Sequence, residues 1–132
     1  MTIREIFLDG NYNCAEAMLL WADERYGLKV APEDVGLVSG FGGGMGCGEN
    51  CGALLGAVAA LSKALVKDKA HDTPGLREAC AELVRRFRAD LGSIECAELK
   101  EKYRRPDVRC LYVVERAAAI LDEYRQTPGG RP

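Results

Sequence analysis

A glycine-rich stretch at residues 40–57, GFGGGMGCGENCGALLGA, constrains this chain more than any other part of the sequence. Glycine lets the backbone adopt positive φ angles and lets neighbouring groups approach it closely, at a cost in conformational entropy. The first half of the stretch therefore predicts a loop, and the apolar second half predicts the start of a helix. Cys47 and Cys51 lie at this transition, which indicates a thiol or metal site at the mouth of the helix. No Gly-Lys-Ser/Thr follows, so the stretch is not a P-loop.

Two helices are predicted before the glycine-rich stretch. Asn13 and Glu16 form a capping-box pattern at the start of the first helix, and Gly27 is suited to end it in a left-handed conformation. Pro32 suits the first position of a second helix. The apolar residues expected to reach the core from that second helix are Val35, Leu37 and Val38.

Four further helices are predicted from the stretch onward. The third begins near Asn50 and extends to about residue 66. Thr73 is expected to cap the fourth helix, Ser93 the fifth and Asp107 the sixth. On the third helix small residues recur every four positions, which predicts close packing against another helix within the chain, with a homodimer contact as the alternative. These residues are Gly52, Gly56, Ala60 and Ala64.

No stretch alternates apolar and polar residues for long enough to predict a strand. The predicted fold is therefore all-α, a compact bundle of about six short helices with the glycine-rich loop between helices 2 and 3. The 132 residues fit one domain, which we assign to residues 1–126, and residues 127–132 are expected to form a disordered tail.

Composition excludes several classes of function. A net charge of −2 and a pI near 5.5 argue against a nucleic-acid-binding protein. The N-terminus lacks a signal-peptide pattern, and the longest apolar run is too short to span a membrane, so we expect a cytoplasmic protein that is not an integral membrane protein. In that reducing compartment six cysteines are more typical of a metal or redox site than of a disulfide framework.

The predicted helix starts divide the cysteines into two sets. A helix start offers unpaired N–H groups and partial positive charge, both of which favour thiolate and lower a thiol pKa. If these starts converge, they would form a site suited to negatively charged sulfur. The cysteines in predicted first turns are Cys14, Cys51, Cys96 and Cys110. Cys80 is expected on an apolar helix face, where it would be a small core residue, and Cys47 in the loop.

With these cysteines the sequence resembles the redox-active proteins named for a C…CGAxxG…C…C pattern. The resemblance is carried by Asn13-Cys14-Ala15-Glu16, the loop at residues 40–46, the motif Cys51-Gly-Ala-Leu-Leu-Gly56, the segment Gly92-Ser-Ile-Glu-Cys96, and Cys110. It implies a redox role and maps the four family cysteines onto Cys14, Cys51, Cys96 and Cys110. A related module resembles part of a split-Soret type cytochrome, which implies an iron–sulfur centre.

Three kinds of site follow from these patterns. The first is an iron–sulfur cluster for electron transfer, ligated by Cys14, Cys51, Cys96 and Cys110, because four thiolates are the usual ligand set. The glycines expected to let the backbone approach this cofactor are Gly42, Gly43, Gly44, Gly46 and Gly52. The second is metal-free thiol–disulfide chemistry centred on Cys51, with Cys47 or another cysteine resolving the disulfide. The third is a structural zinc site. In each redox case the partner is unspecified.

Overall fold

The computed structural model describes residues 1–126 of the chain. Over these residues the chain is helical, and its only β pairing consists of two isolated bridges. The all-α prediction is therefore confirmed, and the predicted disordered tail lies outside the described residues. The α-helices are α1 (Cys14–Tyr26), α2 (Gly52–Leu65), α3 (Leu76–Leu91), α4 (Cys96–Tyr103) and α5 (Leu111–Gln126).

Shorter helical segments connect these α-helices. The predicted second helix is a 3₁₀ helix, Pro32–Phe41, and it leads directly into the glycine-rich loop. In that loop Gly44–Gly48 forms a wide turn with π-helical hydrogen bonding. A similar turn, Glu5–Asp9, precedes α1, and a single 3₁₀ turn, Ala70–Asp72, precedes α3.

The core lies between α1, α2, α3 and α5, each of which contacts at least two of the others. The largest side chains sealed inside it include Met18 from α1, Leu61 from α2, Phe87 from α3 and Leu121 from α5. The short helix α4 contacts α5 and the glycine-rich loop at one end of this bundle. Residues at the starts of α1, α2, α4 and α5 meet at that end.

Helices α1 and α2 pack closely because α2 presents glycine to α1. A Cβ atom on Gly56 would lie 2.6 Å from the carbonyl oxygen of Ala15 and 3.0 Å from Cβ of Met18. These contacts confirm that the small-residue face predicted on this helix packs within the chain.

Two helices begin later than predicted. Helix α3 starts at Leu76 rather than at Thr73, whose hydroxyl donates backward to the carbonyl of Lys69 at 2.8 Å. Helix α5 starts at Leu111 rather than after Asp107. Asp107 instead lies in a turn between residues 105 and 109, which pair through the Arg105 N–H and the Arg109 carbonyl at 2.9 Å.

The starts of the two other helices near the loop also differ from the prediction. Helix α2 begins at Gly52, because Asn50 forms an isolated antiparallel bridge with Glu95. Helix α4 begins at Cys96, since the Ser93 hydroxyl accepts the N–H of Glu95 ahead of the helix.

The core prediction for the 3₁₀ helix is correct only in part. Val38 is buried and Val35 is half-buried, but Leu37 is 77% exposed. In a 3₁₀ helix residues three positions apart eclipse, so Val35 and Val38 share the inward face and Leu37 points away from it.

No helix within residues 1–126 combines the length and the apolar character needed to cross a membrane.

Candidate functional site

One cavity of about 210 Å³ brings four of the six cysteines together at the end of the bundle. The cysteines that line it are Cys14, Cys51, Cys96 and Cys110. They come from the starts of four different helices. Only the tertiary fold brings them together, because they are neither close in the sequence nor part of one helix. These are also the cysteines that helix-start reasoning selected.

Cys14 is the first residue of α1, and a capping box sets its position. The Asn13 side chain accepts the Glu16 N–H at 2.9 Å, and the Glu16 carboxylate accepts the Asn13 N–H at 2.9 Å. The same two side chains hold the end of the 3₁₀ helix, because Glu16 also accepts the Ser39 hydroxyl at 2.6 Å and Asn13 donates to the Ser39 carbonyl at 2.8 Å. The start of α1 and the entry to the glycine-rich loop are therefore joined at the cavity.

Cys51 and Cys96 are held by the antiparallel bridge between the loop and the segment before α4. The Cys51 N–H donates to the Ile94 carbonyl at 2.7 Å, and the Cys96 N–H donates to the Glu49 carbonyl at 2.6 Å. Both cysteines are buried. This pairing places them beside each other although 44 intervening residues separate them in the sequence.

Cys110 directly precedes α5 and is positioned through its neighbour Arg109. The Arg109 guanidinium donates to the Phe7 carbonyl at 2.6 Å and lies 4.1 Å from the centroid of the Phe7 ring. Since the chain passes from Phe7 into the start of α1, this contact brings Cys110 to the same cavity as Cys14.

The glycines predicted to face a cofactor take different positions. Gly43 and Gly52 line the cavity, and a Cβ atom on Gly52 would lie 2.5 Å from Sγ of Cys14. Gly42 packs against the Asn13 side chain outside the cavity lining. Gly44 adopts a positive φ of 62°, and a Cβ atom there would lie 2.7 Å from Cβ of Cys96. Gly46 has no atom within 4 Å of its would-be Cβ.

Cys47 and Cys80 do not line the cavity. Cys47 is exposed in the loop, where its thiol donates weakly to the Gly44 carbonyl at 3.5 Å. Cys80 is half-buried on α3 and packs against the hydrophobic core. All six thiols are free of disulfides.

The expectation that helix starts lower the thiol pKa values is wrong for three of the cavity cysteines. Burial raises the pKa of Cys51 to about 12, and the N–H groups of Leu54 and Ala53 oppose this rise only in part. Burial also raises the pKa of Cys14, against the N–H groups of Gly43 and Ala15. The pKa of Cys110 is raised by burial as well. Desolvation outweighs the helix starts because the sulfurs are removed from water.

Three cations line the cavity together with the cysteines: Lys100, Arg104 and Arg109. Their charges lower the pKa of Cys110, against the larger effect of burial and the rise caused by Cys96. None of these three cations is among the candidate site residues predicted from the sequence. A signal was available, because Arg109 directly precedes Cys110 and the other two follow Cys96 by less than three helical turns.

Four thiols line the cavity, and four cysteines are the ligand set both of iron–sulfur clusters and of structural zinc sites. Within residues 1–126 no group of three or more His, Cys, Asp and Glu side chains is placed to hold one ion. Four sulfurs around one zinc ion would have to lie about 3.8 Å apart, given a Zn–S bond of about 2.3 Å. A cluster spaces its thiolates more widely, because they bind different iron atoms. Backbone N–H groups directed at the sulfurs of Cys14 and Cys51 add the donors that tune such clusters.

Comparison with known proteins identifies the family to which this arrangement belongs. The family model described as "Putative redox-active protein (C_GCAxxG_C_C)" matches residues 12–124, a range that contains all four cavity cysteines. Searches of the curated proteins and of the solved structures find no match to the chain.

Proposed function

The chain belongs to the C_GCAxxG_C_C family of redox-active proteins, and from this premise we propose that it binds an iron–sulfur cluster and transfers electrons. The observation that carries the proposal is the convergence of Cys14, Cys51, Cys96 and Cys110 on one cavity. Four cysteine thiolates are the common ligand set of [2Fe–2S] and [4Fe–4S] clusters, and such a cluster supplies one-electron chemistry when bound.

The residues of the chain would prepare the site in three ways. The four cysteines supply the ligands, and the N–H groups at Cys14 and Cys51 stabilise negative charge on sulfur. Gly43 and Gly52 leave the space that side chains would otherwise fill. Phe7, Leu99 and Val113 shield the cavity from water, which is one of the factors that set a cluster potential.

The raised pKa of Cys51 argues against nucleophilic attack by this thiol in the metal-free protein. Cys51 is 5% exposed and has a pKa of about 12, so at neutral pH it is a protonated thiol and a poor nucleophile. Metal binding displaces the thiol proton and so makes ligation pH-dependent. For this reason we place thiol–disulfide chemistry centred on Cys51 second. Cys47, its nearest candidate partner in the sequence, lies outside the cavity lining.

The test is to purify the protein without oxygen, record its UV–visible spectrum, and quantify iron, acid-labile sulfide and zinc in the same sample. We expect broad absorption between about 400 and 450 nm that bleaches with dithionite, with stoichiometric iron and sulfide. Cys51→Ser should lose most of the iron and the absorption, because it removes a ligand. Cys80→Ser and Cys47→Ser are matched controls outside the cavity and should keep both.

Three results would contradict the proposal. Equal iron loss from Cys51→Ser and Cys80→Ser would show that the cavity does not define the site. A colourless protein that contains zinc would favour the structural zinc module. A colourless protein without metal that forms a disulfide under a mild oxidant would favour thiol–disulfide chemistry.

A further inference from the structure

The surface beside the cysteine cavity is strongly basic in a chain that is acidic as a whole. Between Lys100 and Arg109 the chain has five Lys or Arg residues and two Glu or Asp residues, which gives this segment a net charge of +3 against −2 for the whole chain. Lys100, Arg104 and Arg109 from this segment line the cavity itself. Positive charge is therefore concentrated where the cysteines approach the surface.

Three of these cations have no acidic partner within the described part of the chain. Over residues 1–126, ion pairs engage Arg25, Arg85, Arg86 and Arg116. In the same part of the chain none engages Lys100, Arg104 or Arg105, and all three side chains are exposed. Clustered cations without partners repel one another, and an opposite charge from outside the chain would relieve that repulsion.

An aromatic pair continues this surface past the cavity. Tyr103 and Tyr112 stack with their ring centroids 5.0 Å apart, and Tyr112 is 48% exposed. The two rings, with Arg105, Val108, Leu111 and Glu115, line a second, shallow depression of about 400 Å³. Exposed tyrosine and arginine are the residue types most enriched at the energetic centres of protein interfaces.

We infer that residues 100–112, here called the basic rim, form the docking surface for an acidic face of a protein redox partner. The partner is a protein rather than a small anion because the surface extends from the cavity across the tyrosine pair to a second depression. The rim also contains Cys110, which is half-buried, whereas Cys51 and Cys96 are buried. A partner docked there would face the cavity beside Cys110; of the other cavity cysteines, Cys14 is also half-buried. The redox role of the partner rests on the function proposed above.

The test measures binding of a fluorescein-labelled oligoglutamate peptide to the full chain by fluorescence anisotropy. Measurements begin at about 10 mM ionic strength, where the Debye length is about 30 Å. We expect saturable binding that weakens as salt is added. The double variant Lys100→Glu/Arg104→Glu should weaken the affinity at least about tenfold, because it reverses two unpaired charges at the rim.

The control is Lys63→Glu/Lys67→Glu, which changes the net charge by the same amount. Both lysines are exposed, and Lys63 lies about 17 Å along α2 from the helix start at the cavity. This control should change the affinity by less than about twofold. Equal weakening by both double variants would overturn the proposal, because binding would then follow net charge alone.

Competition by small anions and measurement of iron separate the docking proposal from its alternatives. If free glutamate or inorganic phosphate displaces the peptide at equal molar concentration, the rim is a small-anion site and the docking proposal is wrong. Iron is measured in every sample, so that a failure of the cluster proposal can be told apart from a failure of the docking proposal. Peptide binding to a colourless, iron-free protein would keep the docking surface and reject the cluster, whereas an iron-containing protein without peptide binding would do the reverse.

Discussion

Cys51 shows how burial and helix electrostatics compete at a single residue. It occupies the N-cap position of α2, where N–H groups favour thiolate, yet burial raises its pKa from 9.0 to about 12. The unfolded chain loses this proton at the ordinary pKa, and the folded chain keeps it. Folded metal-free protein therefore binds more protons than unfolded protein between these two values, so its stability must fall as pH rises through that range.

We therefore predict that metal-free, reduced protein loses stability above pH 9 and that Cys51→Ser reduces this loss. At pH 10 the contribution of Cys51 is about 1 kcal/mol, from the protons that only the unfolded state has released. Urea unfolding at pH 7, 9 and 10 gives the free energy of unfolding of the unsubstituted protein and of Cys51→Ser. The comparison is between the slopes of these free energies against pH, not between their absolute values. Parallel slopes for the two proteins would contradict the raised pKa.

The site also depends on the absence of a Cβ atom at Gly52. A Cβ atom there would lie 2.5 Å from Sγ of Cys14 and 2.8 Å from the Phe41 carbonyl oxygen. We predict that Gly52→Ala destabilises the protein by about 1–3 kcal/mol, as overpacking in a close contact does. It should also lower the iron content, because Cys14 must move.

The matched control for this substitution is Gly36→Ala in the 3₁₀ helix, where an added Cβ meets no atom within 4 Å. Thermal or urea unfolding of both variants provides the comparison. Similar destabilisation by the two substitutions would show that the backbone, rather than contact with Cys14, explains the effect.

At the scale of elements, the site depends on how helix starts are tied to one another. The capping box at α1 also holds the end of the 3₁₀ helix through Ser39, so one polar cluster joins two elements. The antiparallel bridge joins the loop to α4, and Arg109 joins the start of α5 to the chain before α1. The bridge fixes Cys51 relative to Cys96, and the other two links position Cys14 and Cys110.

We predict that Asn13→Ala costs about 1–2 kcal/mol, because it removes an N-cap and a hydrogen bond to the Ser39 carbonyl. Urea unfolding measures the loss. The control is Thr2→Ala, which removes a hydroxyl that accepts the Glu5 N–H at 3.1 Å at an exposed site. It should cost less, since water replaces an exposed bond readily. An equal cost for both variants would argue against the joint role of Asn13.

At the scale of the whole molecule, α1 and α5 are joined at the end of the bundle away from the cavity. Arg25 forms a bidentate pair with Asp122, with both nitrogen–oxygen distances 3.0 Å, and the Tyr26 hydroxyl donates to Asp122 at 2.8 Å. Hydrogen bonding to Arg25 lowers the pKa of Asp122. This stabilisation is therefore present at neutral pH and is lost as the pH falls below the ordinary carboxyl pKa of 3.8.

We predict that Asp122→Asn lowers the melting temperature by about 2 °C at pH 7, because the pair is partly exposed and solvent screens it. The difference from the unsubstituted protein should shrink as the pH falls below 3.8, because protonation of Asp122 then makes the folded protein increasingly resemble the variant. Differential scanning calorimetry across this range checks both points. A difference that grows on acidification would contradict the lowered pKa.

Local chemistry predicted much of this protein, including the all-α class, the α1 capping box, Gly27 as a left-handed helix end and the position of four cysteines at helix starts. These features depend on residues within a few positions of one another, so they are encoded in short stretches. The predicted starts of α3 and α5 are too early. Thr73 and Asp107 are good caps by type, but the Thr73 hydroxyl donates to the Lys69 carbonyl and Asp107 lies in the turn closed by the bridge between Arg105 and Arg109.

The tertiary structure decided what no short stretch contains. It placed Cys51 beside Cys96 through a bridge between distant segments, and it buried the sulfurs deeply enough to reverse the expected pKa shift. It also placed Lys100 and Arg104 at the edge of the cysteine cavity. Desolvation and long-range charge depend on what surrounds a group in space, and the sequence alone determines only which groups are available to be brought together.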